Sequence, residues 1–129
     1  MRLLEEIQEL EPGARCRARR VTKPDDFYFQ GHFPQAPVVP ACVLIEMIAQ
    51  AGGLAAGTSA ASGADLLQLR VAAFGPCKFP AAAGAGETLE VDARVLGALG
   101  GMFKIAGEVR AAGVVIARGE VTLAEVPRR

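Results

Sequence analysis

Two side chains in this sequence have the chemistry of proton transfer. His32 is the only histidine in the chain and sits in Gln30-Gly-His-Phe-Pro34. An imidazole with an ordinary pKa of about 6.5 can take or give a proton at working pH. Glu46 follows within Ala41-Cys-Val-Leu-Ile-Glu-Met-Ile-Ala-Gln-Ala51, where nearly every neighbour is apolar. A carboxyl group there is costly unless it is paired, hydrogen-bonded or kept neutral. Glu46 therefore reads either as a structural hydrogen-bonding group or as an acid held ready for donation. A lone histidine is more often structural than catalytic, so the signal is the pair.

The surrounding pattern predicts what positions them. Residues 23 to 40 carry Pro24, Pro34, Pro37 and Pro40, which block both helix and sheet ladders and predict a long loop around His32. Long loops inside a small domain are often functional. The run after Pro40 is rich in helix formers, with proline at or just before the first turn and glycines at 52, 53 and 57 expected to end it. Such a helix is apolar on nearly every side and is expected to be enclosed by other structure. Its polar members Glu46 and Gln50 are four residues apart and share a face, which Cys42 extends by a turn.

Strands are expected on both sides of this helix. Leu3 to Leu10 and Ala14 to Val21, separated by Pro12-Gly13, predict a hairpin. In its second arm Arg15, Arg17 and Arg19 face one way and Cys16 and Ala18 the other. Thr58 to Ala64 reads as a surface connection. Leu66 to Phe74, Glu87 to Leu96, Met102 to Arg110 and Val114 to Glu125 are predicted strands, the last three a meander. With no repeat and no linker, residues 1–129 are expected to form a single α+β domain, an antiparallel sheet wrapped around one helix.

Composition narrows the function classes. A hydrophobic fraction of 51% in 129 residues is ample for one core. Fourteen basic and fourteen acidic side chains cancel, which removes the long-range attraction that carries proteins onto nucleic acid. No apolar run approaches a membrane span and Met1-Arg2 leads into acidic sequence, so a cytoplasmic protein is expected. Cys16, Cys42 and Cys77 are odd in number and far apart, and are expected to be small core residues rather than a disulfide or metal set.

The stretch Phe29-Gln-Gly-His-Phe-Pro-Gln-Ala-Pro-Val-Val-Pro-Ala-Cys-Val-Leu-Ile-Glu-Met-Ile-Ala-Gln-Ala-Gly-Gly53 resembles the signature of the β-hydroxyacyl-acyl-carrier-protein dehydratases. In that family a histidine in a Gly-His-Phe-Pro loop precedes by fourteen positions an acid on the central helix of a hot-dog fold, the spacing of His32 and Glu46. Weaker similarity extends through Glu9-Leu-Glu-Pro-Gly13, Lys78-Phe79 and Gly86. Ala41 stands where the family has glycine, and Pro80 and alanines replace basic residues after Lys-Phe. Glu46 in place of aspartate resembles the dehydratase-only branch, whereas Cys42 resembles the branch that also isomerises the double bond.

The resemblance implies dehydration of 3-hydroxyacyl thioesters, delivered by an acyl carrier protein, in fatty acid, polyketide or polyene biosynthesis. His32 would remove the C2 proton and Glu46 would protonate the leaving C3 oxygen. The backbone N–H of Ala41, at the helix start, would polarise the thioester carbonyl, with Gly31, Phe33 and Gln50 also in contact with substrate. No metal or redox cofactor is needed. The resemblance also implies a homodimer with active sites shared between subunits, and a hexamer beyond it. Arg15, Arg17, Arg19, Arg20 and Lys23 are candidates for a basic patch toward an acidic carrier, or simply a solvated strand face. The competing readings are a hot-dog thioesterase and a non-catalytic carrier-binding subunit.

Overall fold

Period-two alternation sets the first two strands of the computed structural model, which describes residues 3–29, 38–60 and 69–126. Strand β1 (Glu6–Glu11) and β2 (Arg15–Val21) form the expected antiparallel hairpin. Cys16 and Ala18 are fully buried, while Glu6, Glu9 and Glu11 stand opposite Arg19, Arg17 and Arg15 across the ladder. Leu3 and Leu4 enter the core ahead of the strand. A single turn of 3-10 helix, Phe27–Phe29, follows, and helix α1 spans Ala41–Ala60.

Strands β3 (Leu69–Lys78), β4 (Thr88–Leu99), β5 (Met102–Ala111) and β6 (Val114–Glu125) complete one six-stranded sheet in the order β1-β2-β4-β5-β6-β3. All its pairings are antiparallel. The predicted meander is β4-β5-β6, and its first turn is Gly100-Gly101, with φ of 60° and 79°. Both turn residues are left-handed, as a two-residue hairpin requires. One sheet face packs on α1. Leu89, Val91 and Ala93 of β4 and Ile105 and Val109 of β5 meet Met47, Ile48 and Ala51 of the helix in a common core. This antiparallel sheet around a single helix is the hot-dog architecture, of the α+β class.

Three expectations need correction. The glycines at 52, 53 and 57 do not end the helix, which continues to Ala60, so that Thr58 opens no connection; residues 61–64 lie outside the described residues. A Cβ on Gly52 would stand 2.5 Å from Ile105 Cγ2. Close approach to β5 requires the glycine there, and packing outweighs its helix cost of about 1 kcal/mol. Second, β3 runs on through Gly75 and Pro76, because the register slips between Phe74 and Cys77. A bulge in an edge strand tolerates a residue without an N–H. Third, only Cys16 is a core cysteine; Cys42 is exposed in the first turn of α1 and Cys77 is half-buried in the edge strand.

The helix is also less enclosed than its composition suggests. Within one chain the sheet covers one side, and Ile45, Glu46 and Leu54 remain half-exposed.

Candidate active site

Pro40 caps α1 through its carbonyl, which accepts hydrogen bonds from the N–H groups of Val43 (3.1 Å) and Leu44 (3.2 Å). Ala41 and Cys42 are exposed, and their N–H groups belong to the first turn, which has no intrahelical acceptors and carries the positive end of the helix dipole. Glu46 lies five residues further, about 7.5 Å along the axis. Its half-exposed carboxyl makes no hydrogen bond or ion pair among the described residues. The structural reading of Glu46 therefore finds no partner among the described residues. One turn on, Gln50 is engaged through its Oε1, which accepts the Leu3 N–H at 2.9 Å.

His32, Gly31 and Phe33 lie outside the described residues, but the chain on either side of them is described. Before them, Arg20 Nη2 donates to Asp26 Oδ1 at 2.8 Å and the Lys23 N–H to Asp26 Oδ2 at 2.9 Å. The Phe29 N–H then bonds to the Asp26 carbonyl at 3.0 Å, and the Phe29 side chain is buried in the core. After them, the Val39 N–H bonds to the Ala83 carbonyl at 2.8 Å. Thr22, the one buried polar residue among those described, donates its hydroxyl to the Gly84 carbonyl at 2.6 Å and accepts the Glu87 N–H at 3.0 Å. Both flanks of the histidine segment are thus bound to residues 83–87. Sequence reasoning singled out Arg20 only as a member of the basic patch, and did not single out Asp26 or Thr22. The available signal was the second arginine of Arg19-Arg20, which breaks the alternation of β2.

The five cations expected as a basic patch are each paired within the chain. Arg15 meets Asp92 at 2.9 Å, Arg17 Glu9 at 3.5 Å, Arg19 Glu6 at 2.7 Å, Arg20 Asp26 at 2.8 Å and Lys23 Glu5 at 3.8 Å. The hydrogen bond that Arg15 donates to Asp92, and then the Asp92 charge, hold Arg15 above its ordinary pKa. Burial, with the Asp92 charge adding to it, pushes the Cys16 thiol up. A groove of about 680 Å³ lined by Arg15, Asp92, Arg94, Glu108 and Arg118 crosses the sheet face turned away from α1 and includes neither Ala41 nor Glu46.

The fold is a hot-dog sheet packed on one helix, whose first-turn residues Ala41 and Cys42 are exposed and whose Glu46 is half-exposed. Residues 1–120 match the family model of the FabA-like domain. Over 122 residues the chain is 30% identical to the 3-hydroxyacyl-[acyl-carrier-protein] dehydratase FabZ of Ruminiclostridium cellulolyticum, covering 95% of this chain and 84% of that one. It is 29% identical over 126 residues to the FabZ dehydratase of Syntrophotalea carbinolica, with 98% and 85% covered. The chain belongs to the FabA-like family, among its FabZ-type members. Solved structures agree on the fold. The dehydratase heterocomplex ApeI:P of Xenorhabdus doucetiae aligns with a TM-score of 0.76 at 16% identity, over 98% of this chain and 84% of that one. The smu.793 protein of Streptococcus mutans, bound to acetyl CoA, aligns at 0.73 and 13%, over 100% and 95%.

Proposed function

We infer that this protein is a 3-hydroxyacyl-[acyl-carrier-protein] dehydratase, a lyase of fatty acid biosynthesis that converts 3-hydroxyacyl thioesters to trans-2-enoyl thioesters. The observation that carries this reading is the similarity to FabZ dehydratases over nearly the whole chain. In the reaction His32 takes the C2 proton and the electrons form the C2–C3 double bond. The C3–O bond breaks as Glu46 protonates the departing oxygen, so that water leaves. Proton return from His32 to Glu46 resets the pair. The Ala41 N–H, at the open end of α1, stabilises the enolate-like thioester oxygen. Gly31, Phe33 and Gln50 are assigned contacts with the substrate.

The site is assigned to a homodimer, with His32 of one subunit facing Glu46 of the other. Support comes from surface left uncovered in a single chain. Strand β3 is an edge strand with Phe74 64% exposed, and α1 keeps Ile45 and Leu54 half-exposed. An open apolar edge of ten residues is a template for pairing with another chain. Free cysteines suit a reducing compartment, and we place the enzyme in the cytoplasm.

The test is product analysis with a carrier-bound 3-hydroxyacyl thioester. Near-ultraviolet absorbance from an enoyl thioester, without free thiol, is the expected result. Thiol release without enoyl product would overturn the reading in favour of a thioesterase.

A further inference from the structure

Thr22 directs its N–H, its carbonyl and its hydroxyl onto one short loop. The N–H donates to the Glu87 carbonyl at 2.9 Å and the carbonyl accepts the Gly86 N–H at 2.8 Å. The hydroxyl donates to the Gly84 carbonyl at 2.6 Å and accepts the Glu87 N–H at 3.0 Å. The two backbone bonds prolong the ladder of β2 and β4, which pairs Val21 with Thr88, whereas the hydroxyl reaches beyond that ladder to Gly84. Thr22 is 1% exposed, and removing its hydroxyl takes away the partner of a carbonyl and of an N–H at once.

The same loop holds the start of α1. The Gly84 N–H donates to Glu87 Oε2, and the carbonyl of the same peptide unit, that of Ala83, accepts the Val39 N–H at 2.8 Å. A carboxylate bound to the N–H of a peptide fixes its plane and strengthens its carbonyl as an acceptor. Val39 is buried, and a residue before proline favours extended backbone. Pro40 has a fixed φ, and its carbonyl caps α1 at Val43 and Leu44. Little freedom is left between the Ala83 carbonyl and the Ala41 N–H.

We propose that Thr22 and Glu87 are positioning residues that aim the Ala41 N–H at the thioester oxygen, acting through the Ala83–Gly84 peptide and Val39. This inference rests on the reading of Ala41 as the polarising donor. It involves only the subunit that supplies Ala41 and Glu46, and is independent of which subunit supplies His32. A displaced donor loses more in the transition state, where the oxygen carries more charge, than in the bound ground state. The loss therefore falls on kcat more than on KM.

The experiment combines steady-state kinetics on the full-length protein with infrared spectra of a bound saturated acyl pantetheine thioester, isotope-labelled at its carbonyl, which cannot be dehydrated. Expected for Thr22→Val and Glu87→Ala are a fall in kcat of about tenfold and a KM within about threefold of wild type. Their carbonyl band should lie at higher frequency than in wild-type protein, because hydrogen bonding lowers it. Thr22→Ser, which keeps the hydroxyl, and Glu87→Gln, whose amide oxygen still accepts the Gly84 N–H, should recover most of both effects. Thr88→Val, exposed beside Glu87, should leave every readout unchanged. Glu87→Ala, at a half-buried position, keeps the test decisive if Thr22→Val does not fold. Folded variants with wild-type kcat and an unmoved band would overturn the proposal. So would a fall in kcat with the band unmoved, since the loss would then arise away from the thioester oxygen. A wild-type band no lower than that of the thioester in an apolar solvent would remove the Ala41 reading and this proposal together. A lowered wild-type band that neither variant moves would spare that reading and sink the positioning role alone.

Discussion

Gly52 of α1 faces Ile105 of β5 so closely that a methyl group on the glycine would stand 2.5 Å from Ile105 Cγ2 and 2.9 Å from Cγ1. The helix can lie against the sheet only because that methyl is missing. Gly52→Ala is expected to lower stability by about 1–3 kcal/mol through overpacking. Its neighbour is a control: a Cβ on Gly53 meets only Leu123 Cδ1, at 3.8 Å, so Gly53→Ala should raise stability by up to about 1 kcal/mol through helix propensity. Urea unfolding of the two variants checks the contrast, and equal losses would refute the packing account.

The proposed sharing of the site between subunits predicts complementation. His32→Ala and Glu46→Gln should each be folded and inactive alone. Unfolded and refolded together, about half the dimers are mixed and each mixed dimer holds one intact cleft of two, so roughly a quarter of wild-type activity should return. Mixed dimers confirmed by mass spectrometry yet devoid of activity would place the pair within one subunit.

The arginines of β2 predict little effect on carrier recognition. Arg17 and Arg19 are already matched by Glu9 and Glu6, and exposed pairs contribute about 0–1 kcal/mol. Reversing both charges should change KM for carrier-bound substrate less than twofold. Lys78 and Arg94 take part in no ion pair among the described residues. Reversing those two should raise KM for the carrier-bound substrate and spare a pantetheine analogue, with added salt mimicking the effect. Steady-state kinetics on both substrates decides.

Cys16 predicts an alkaline limit to stability. Burial raises its thiol above the ordinary value of 9.0, so the folded state holds the proton more tightly than the unfolded one. That contribution is complete below the ordinary value and is lost as pH rises through the folded-state value. The stability difference between wild type and Cys16→Ala should therefore shrink with rising pH in urea titrations from neutral to alkaline. A constant difference would exclude the linkage.

Local rules determined much of this protein from sequence. Period-two alternation placed Cys16 and Ala18 inward, Pro12-Gly13 and Gly100-Gly101 marked two hairpin turns, and the run after Pro40 marked the helix, because each depends on neighbours in the chain. The fourteen-residue spacing of His32 and Glu46, with its prolines, was legible for the same reason and sufficed to indicate the family. Tertiary structure decided what depends on distant partners. Gly52 stops no helix because Ile105, fifty-three residues away, requires its missing side chain. The arginine row is no open patch because Glu6, Glu9 and Asp92 from neighbouring strands neutralise it. Arg20 looked like one more cation of that row. Only folding brings Asp26 and Leu3 to its two ends, since hydrogen-bond geometry is set by three-dimensional approach and not by residue type.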